Sequence, residues 1–546
     1  MRSAVNRRGF VASAAGAGMA AATTAGTAAA APSGNKPRFA LPRETPLDAM
    51  DVSALQAEMT AGRLTAVALL RHCLKRIEAM DRSGPSLRAV IELNPDAMAQ
   101  ARRLDAERRG KAPTVRGPLH GIPVLLKDNI ATADKMATTA GSLALEGLQA
   151  QRDAHLVQCL RAAGAVILGK TNLSEWANIR SDRSSSGWSS RGGQTRNPHV
   201  LNRSTSGSSS GSGAAAAAGY APLTVGTETD GSICSPANLC GVVGFKPTVG
   251  WVSRAGVIPI SASQDTAGPM VRHVRDAALL LQAMAAPDPQ DAVTLTQPAA
   301  APNFVGALRT DALRGARIGV IRHAVPSQPA VAALFEAALE VLRAQGAVLI
   351  DKLEIPNRDK VLAPEFTVLL HELKAGLADY LRSYQSNAPV KNLAELIAWN
   401  KTHAARVMPI FGQETFEAAE ATTGLDAPAY AEALATCRRF SREEGIDALF
   451  KANQLDAVVG PTGSLAWPID HLLGDSFSGG GFGSVFAVAG YPHLTVPMGM
   501  VSGLPTGLSI AGQAWQDVKV LAFGYAFEQA SPQRRAPRFL PETGIS

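Results

Sequence analysis

A lysine that closes an apolar run and two serines on glycine-flanked backbone are the residues of this chain most able to do chemistry. Lys127 ends the run Gly121-Ile-Pro-Val-Leu-Leu-Lys127 and is followed by Asp128 and Asn129. An exposed lysine titrates near pH ~10.4 and keeps its proton at neutral pH. Val124, Leu125 and Leu126 read as a short buried strand bounded by Pro123 and Asp128. A lysine at the end of such a strand points from the core into whatever cleft lies above it. Burial disfavours the ammonium, and a lysine that gives up its proton becomes a base. The plainer alternative is a strand-end lysine with its head in water, paired with Asp128.

The serines lie in Gly207-SSSGSGAAAAAG and Gly226-TETDGSI, with Ser208 and Ser232 24 residues apart. Gly/Ser-rich stretches are usually flexible linkers. This one passes directly into Ala214–Ala218, a strong helix former, so the serines sit where a helix begins and free N–H groups collect. Pro222–Val225 then reads as another buried strand that runs into a turn of residues tolerant of unusual backbone angles. A serine on such a turn presents its hydroxyl while neighbouring amides converge on a developing oxyanion. A competing pattern overlaps the first segment: Gly207-Ser-Ser209-Ser-Gly211 matches the G-x-S-x-G elbow, which would make Ser209 a nucleophile with His471 or His493 downstream. That elbow needs a core strand before it, and Asn197–Ser206 is polar.

These residues carry a resemblance. GPLHGIPVLLKDN, GAVILGKTNLSEWA, GSSSGSGAAAAAG, GTETDGSI, GVVGFKPTVG and GYPHLTVPMG, spread between about Asp51 and Gln529, are similar to the amidase signature family. The resemblance implies an α/β fold with a large mixed, twisted β-sheet covered by helices on both faces, and an amidase that uses no cofactor. It implies Lys127 as base, Ser208 as a bridging serine in a cis peptide, and Ser232 as nucleophile. Thr229, Asp230, Gly231 and the Ser232 amide would then form the oxyanion hole. NLSEWAN, SGWSSRGGQTRNP, VIPISASQDTAGPM and AWPI are similar to the bacterial peptide amidases, which implies a peptide C-terminal amide as substrate, with aryl or aliphatic amides as the alternative. A non-enzymatic binding protein on the same fold would have lost part of the triad, which is complete here. The chain departs from the common GGSIR form of the turn at Asp230 and Cys234. Cys234 suits a small packing residue better than a second nucleophile.

Elements must position these groups. Thr65–Ala79 has helical spacing with Thr65 as its N-cap. Strand-like runs occur at Ile122–Leu126, Ala165–Leu168, Leu223–Val225, Ile318–Ile321, Ala457–Gly460, Leu494–Pro497 and Leu508–Ala511, many separated by helical stretches. Pro287–Ala301 reads as a Pro-rich surface loop inside one amidase domain spanning 32–546, whose signature core covers about 120–270. Trp176, Trp188, Phe482 and Phe486 are candidates for an apolar cleft, each with an equally ordinary core role. Ser478–Ser484 is either a mobile cover over the site or a simple turn.

The N-terminus sets the expected compartment. Arg7-Arg8, then a weakly apolar Ala/Gly/Thr stretch ending at Ala31-Pro32, reads as a twin-arginine export signal over residues 1–31, and so as a periplasmic or secreted protein. An uncleaved anchor is the rival, though alanine and glycine give little hydrophobic drive. Loss of Arg2, Arg7 and Arg8 would lower the net charge from +7 by three. With no basic stripe among aromatics, nucleic acid is not an expected partner. A monomer without stable membrane association is expected. Five cysteines are too few for a disulfide framework, with Cys234–Cys240 the one pairing left open, and the scattered histidines show no metal-ligand spacing.

Overall fold

The structure is a computed structural model, and it describes residues 41, 45–110, 112–299 and 302–543. The proposed export signal therefore lies outside the described residues. The molecule is built on one 11-stranded sheet flanked by helices. Its strands are β1 (Val90–Leu93), β2 (Pro123–Lys127), β3 (Val166–Thr171), β4 (Leu223–Glu228), β5 (Val243–Lys246) and β6 (Thr266–Val271), followed by β7 (Arg317–Ile321), β8 (Val348–Leu353), β9 (Ala457–Pro461), β10 (His493–Val501) and β11 (Leu504–Ala511). Their spatial order is β1-β3-β2-β4-β6-β5-β10-β11-β9-β7-β8. β2 pairs parallel with β3 and β4, and β7 with β8 and β9, whereas the other neighbours are antiparallel.

Every residue of β2, β3 and β4 is buried, as expected of parallel strands covered on both faces. That is why the lysine run and the Leu223 run were readable as strands. β8 is different: it forms one edge of the sheet, is half-exposed, and carries Asp351 and Lys352, which discourage pairing with another chain. β6 is obscured in the sequence by Gly268 and Pro269, residues that normally argue against a strand. Gly268 is there because a Cβ would collide with the Phe245 carbonyl of neighbouring β5.

Thr65 caps the helix Ala66–Met80 as expected, accepting the Ala68 N–H at 3.0 Å. The alanine tract becomes the fully buried helix Ser210–Ala217. Its small residues let it pack closely, and at Gly211 a Cβ would collide with the carbonyl of Ala89. The stretch after Pro287 contains a short 3-10 helix, Ala292–Thr296. Buried Asp288 accepts from the Ser253 hydroxyl at 2.6 Å, and Asp291 pairs with Arg254 at 2.5 Å. All five cysteines are free thiols. Cys234 and Cys240 are the two ends of the helix Cys234–Cys240, so the axial rise alone, about 9 Å, keeps them beyond disulfide reach. Among the described residues no helix is long and apolar enough to cross a membrane.

Candidate active site

Parallel pairing of β2 with β4 brings the ends of both strands together, and with them Lys127 and the Gly226–Ile233 turn. Lys127 is fully buried. Its Nζ donates to Ser208 Oγ at 2.8 Å, Thr227 Oγ1 at 2.8 Å and the Thr227 carbonyl at 3.2 Å. Burial lowers its pKa to about 7, against the opposing pull of the Asp265 and Glu228 carboxylates. The surface pairing with Asp128 does not occur. Asp128 accepts from the Thr139 hydroxyl and lies 3.5 Å from Arg191.

Ser208 follows a cis Gly207–Ser208 peptide and is fully buried. Gly207 has no room for a side chain, because a Cβ would run into the Ser174 hydroxyl. Ser232 sits alongside, its carbonyl accepting the Ser209 N–H at 3.2 Å. No hydrogen bond joins the Ser208 and Ser232 hydroxyls in this structure. The turn before Ser232 is braced on both sides. Thr229 Oγ1 donates to Asp265 at 2.6 Å, and the other Asp265 oxygen accepts the N–H groups of Ile260 and Ser261 at 2.8 and 2.9 Å. Glu228 Oε2 accepts from the amides of Ile233 and Cys234 at 2.7 and 3.0 Å. Gly231 takes φ +74°, a left-handed conformation that favours glycine. The N–H groups of Asp230, Gly231 and Ser232 donate to no acceptor among the described residues, so three amides stay available to an anion.

Comparison with known proteins gives the family. A family model described as Amidase matches residues 68–521. The chain belongs to the amidase signature family. It is similar to the native peptide amidase from Stenotrophomonas maltophilia, with 52% identity, a TM-score of 0.87 and coverage of 90% of this chain and 99% of that one. A peptide amidase solved with the competitive inhibitor chymostatin aligns with 52% identity, a TM-score of 0.88 and coverage of 90% and 100%. A probable amidase of Arabidopsis thaliana is 42% identical over 487 residues, covering 88% of this chain and 89% of the relative. The chain is a hydrolase acting on amides.

Above the turn the amidase has a cavity of about 400 Å³ lined by Gly207, Asp230, Gly231, Trp467, Phe477 and Phe482, among others. Of the four aromatic residues considered from sequence, only Phe482 reaches it. Trp176 packs edge-on against Phe416, Trp188 against Phe411, and Phe486 is fully buried. Gly480 through Ser484 also line the cavity, so the glycine-rich segment does border the site. The elbow serine is no nucleophile in this geometry. Ser209 is fully buried, and its hydroxyl both donates to the Thr227 carbonyl at 3.0 Å and accepts the Thr227 N–H at 3.1 Å. His471 is engaged with Gln194 and His493 with Ser509. Sequence reading missed Thr227, Glu228 and Asp265. The first two stand inside the TETD motif, whereas Asp265 is 36 residues beyond Thr229 and is brought in only by the antiparallel pairing of β4 with β6.

Proposed function

We propose that this amidase cleaves carboxamide C–N bonds through an acyl-enzyme on Ser232, with the C-terminal amide of peptides as its substrate. The observation that carries this reading is the seat of Lys127. A neutral lysine keeps two N–H bonds for the two Thr227 oxygens and turns its lone pair to the Ser208 hydroxyl. With its pKa near 7, that neutral form is well populated at physiological pH. Ser208 gives its proton to Lys127 and takes the proton of Ser232, and Ser232 Oγ attacks the carbonyl carbon. The relay asks for one movement, a turn of the Ser232 side chain toward Ser208. Catalytic hydrogen bonds are often open in unliganded sites and tighten on the substrate.

The oxygen that gains charge is held by the free amides of Asp230, Gly231 and Ser232. The proton then returns through Ser208 to the amide nitrogen, the C–N bond breaks, and ammonia leaves. Water repeats the sequence on the acyl-enzyme, releasing the acid and restoring Ser232. The 52% identity to peptide amidases over most of the chain supports the peptide C-terminus as the source of the amide. The continuity of one sheet supports reading 32–546 as a single amidase domain, and Arg7-Arg8 before the Ala-rich stretch supports export.

The test is mass spectrometry of one peptide offered as C-terminal amide and as free acid, with wild type and Ser232→Ala in parallel. Conversion of amide to acid by wild type alone, with internal bonds intact, is expected. Hydrolysis of aryl or aliphatic amides but not the peptide amide would overturn the substrate assignment, and activity surviving in Ser232→Ala would overturn the nucleophile.

A further inference from the structure

Asp230 contributes a backbone N–H to the proposed oxyanion turn, yet its side chain also lines the cavity. Ser484, on the helix Gly483–Ala489, lines the same cavity. The charged groups around it come from four elements. Glu228 ends β4 behind the turn, and Glu365 approaches from the helix Leu362–Tyr384, where its Oε1 accepts from Gln264 at 2.8 Å. Lys246 ends β5 and is the nearby cation, its charge disfavoured by burial. Cys234 and His493 also line the cavity but carry no charge at neutral pH, since burial raises the thiol well above its usual range and lowers the imidazole to about 3. At the mouth, Arg358 stands 3.8 Å from Asp359 beside His323, whose pKa burial lowers. Asp230 is therefore the carboxyl on the floor of the cavity, with Glu228, Glu365 and Lys246 behind that lining and Glu365 kept protonated up to about pH 8 by burial.

Such a floor treats the two ends of the reaction differently. A carboxamide is neutral and offers N–H donors to a carboxylate. The acid formed from it offers no donor and brings a negative charge to the same place. In a partly desolvated pocket that repulsion weakens binding by about ten-fold or more. We propose that the Asp230 side chain is a specificity-determining group that admits an uncharged carboxamide and expels the carboxylate made from it. This rests on the amide-hydrolase reading above and adds to it the class of compound the site rejects, ligands with a carboxylate at the scissile position. Asp230 titrates near 6, raised by desolvation and by Glu228, so its discrimination belongs to pH values above that.

The test is calorimetric titration of a peptide amide and the matching free acid into Ser232→Ala, and into the same protein carrying Asp230→Asn or Asp230→Gly. No turnover is needed. The expected result is tighter binding of the amide by the Asp230 protein, and a gain in acid affinity relative to amide of about ten-fold in both double variants. The gain should shrink toward unity below about pH 6, where Asp230 is protonated; attraction by the Lys127 ammonium acts in every protein and cancels in the ratio. An unchanged amide-to-acid ratio in both variants would overturn the role of Asp230, even if wild type hydrolyses the peptide amide. Failure of both peptides to bind would overturn this inference and the peptide reading together.

Discussion

At the scale of single residues, the proton balance of Lys127 controls the chemistry of the proposed mechanism. Its pKa falls to about 7 because burial removes water from the ammonium faster than Asp265 and Glu228 can compensate. The base is the unprotonated form, so kcat/KM should rise with pH through about 7 and level off above it. A pH–rate profile of wild type checks this, and a profile flat from pH 5 to 9 would contradict it. Lys127→Arg leaves a cation that cannot deprotonate. It should lose about 10²–10⁴-fold in kcat, the usual worth of a positioned base, with KM for the amide moving much less. The residues of the proposed triad, Lys127, Ser208 and Ser232, were visible in the sequence because each closes a recognisable local pattern. Thr227 was not, because its part is played by a carbonyl and a hydroxyl whose significance appears only once Nζ lies 2.8 Å away.

At the scale of elements, the turn after β4, which carries the proposed oxyanion amides, is braced by two carboxylates that do not line the cavity. Asp265→Ala frees the Thr229 hydroxyl and leaves the Ile260 and Ser261 amides unpaired. Loss of such bracing should cost about 10²–10³-fold in kcat, comparable with removal of an oxyanion donor. It should also cost roughly 1–3 kcal/mol of stability for the buried groups left unsatisfied; steady-state kinetics and urea unfolding read the two separately. Gly207→Ala should misplace Ser208 itself, since its Cβ would occupy the space of the Ser174 hydroxyl, and activity and melting temperature should fall together. Strands β2, β3 and β4 announced themselves by apolar runs bounded by turn residues. β5 and β6 did not, because glycines placed for close backbone approach interrupt the apolar pattern.

At the scale of the whole molecule, the sheet order could not be read along the chain. Ser208 meets Lys127, and the turn that carries Ser232 is brought beside it, because β4 pairs with β2 across an intervening stretch that contains β3, and Asp265 arrives through β6 on the opposite side of β4. The Pro-rich stretch after residue 287 reads from composition as a surface loop, and its attachment could not be read there: Asp288 and Asp291 fasten it to the Ser253–Arg254 segment. Asp291→Ala breaks a half-buried ion pair and should lower the melting temperature by a few degrees, on the order of 1–2 kcal/mol, without changing the pH midpoint of activity. The export reading makes its own prediction. Protein recovered after expression in a bacterium with an active twin-arginine pathway should begin near Ala31 or Pro32 by N-terminal sequencing, whereas cytoplasmic, full-length protein would contradict it.

The central claim is that Ser232, served by Lys127 through Ser208, forms the acyl-enzyme. Labelling wild type with an alkyl fluorophosphonate, followed by peptide mapping, tests it most directly. One phosphonyl group on Ser232, formed in parallel with loss of activity and at a rate that falls sharply in Lys127→Arg, is the predicted result. Inactivation with the label on Ser209 or Cys234, or labelling of Ser232 at an unchanged rate in Lys127→Arg, would contradict it.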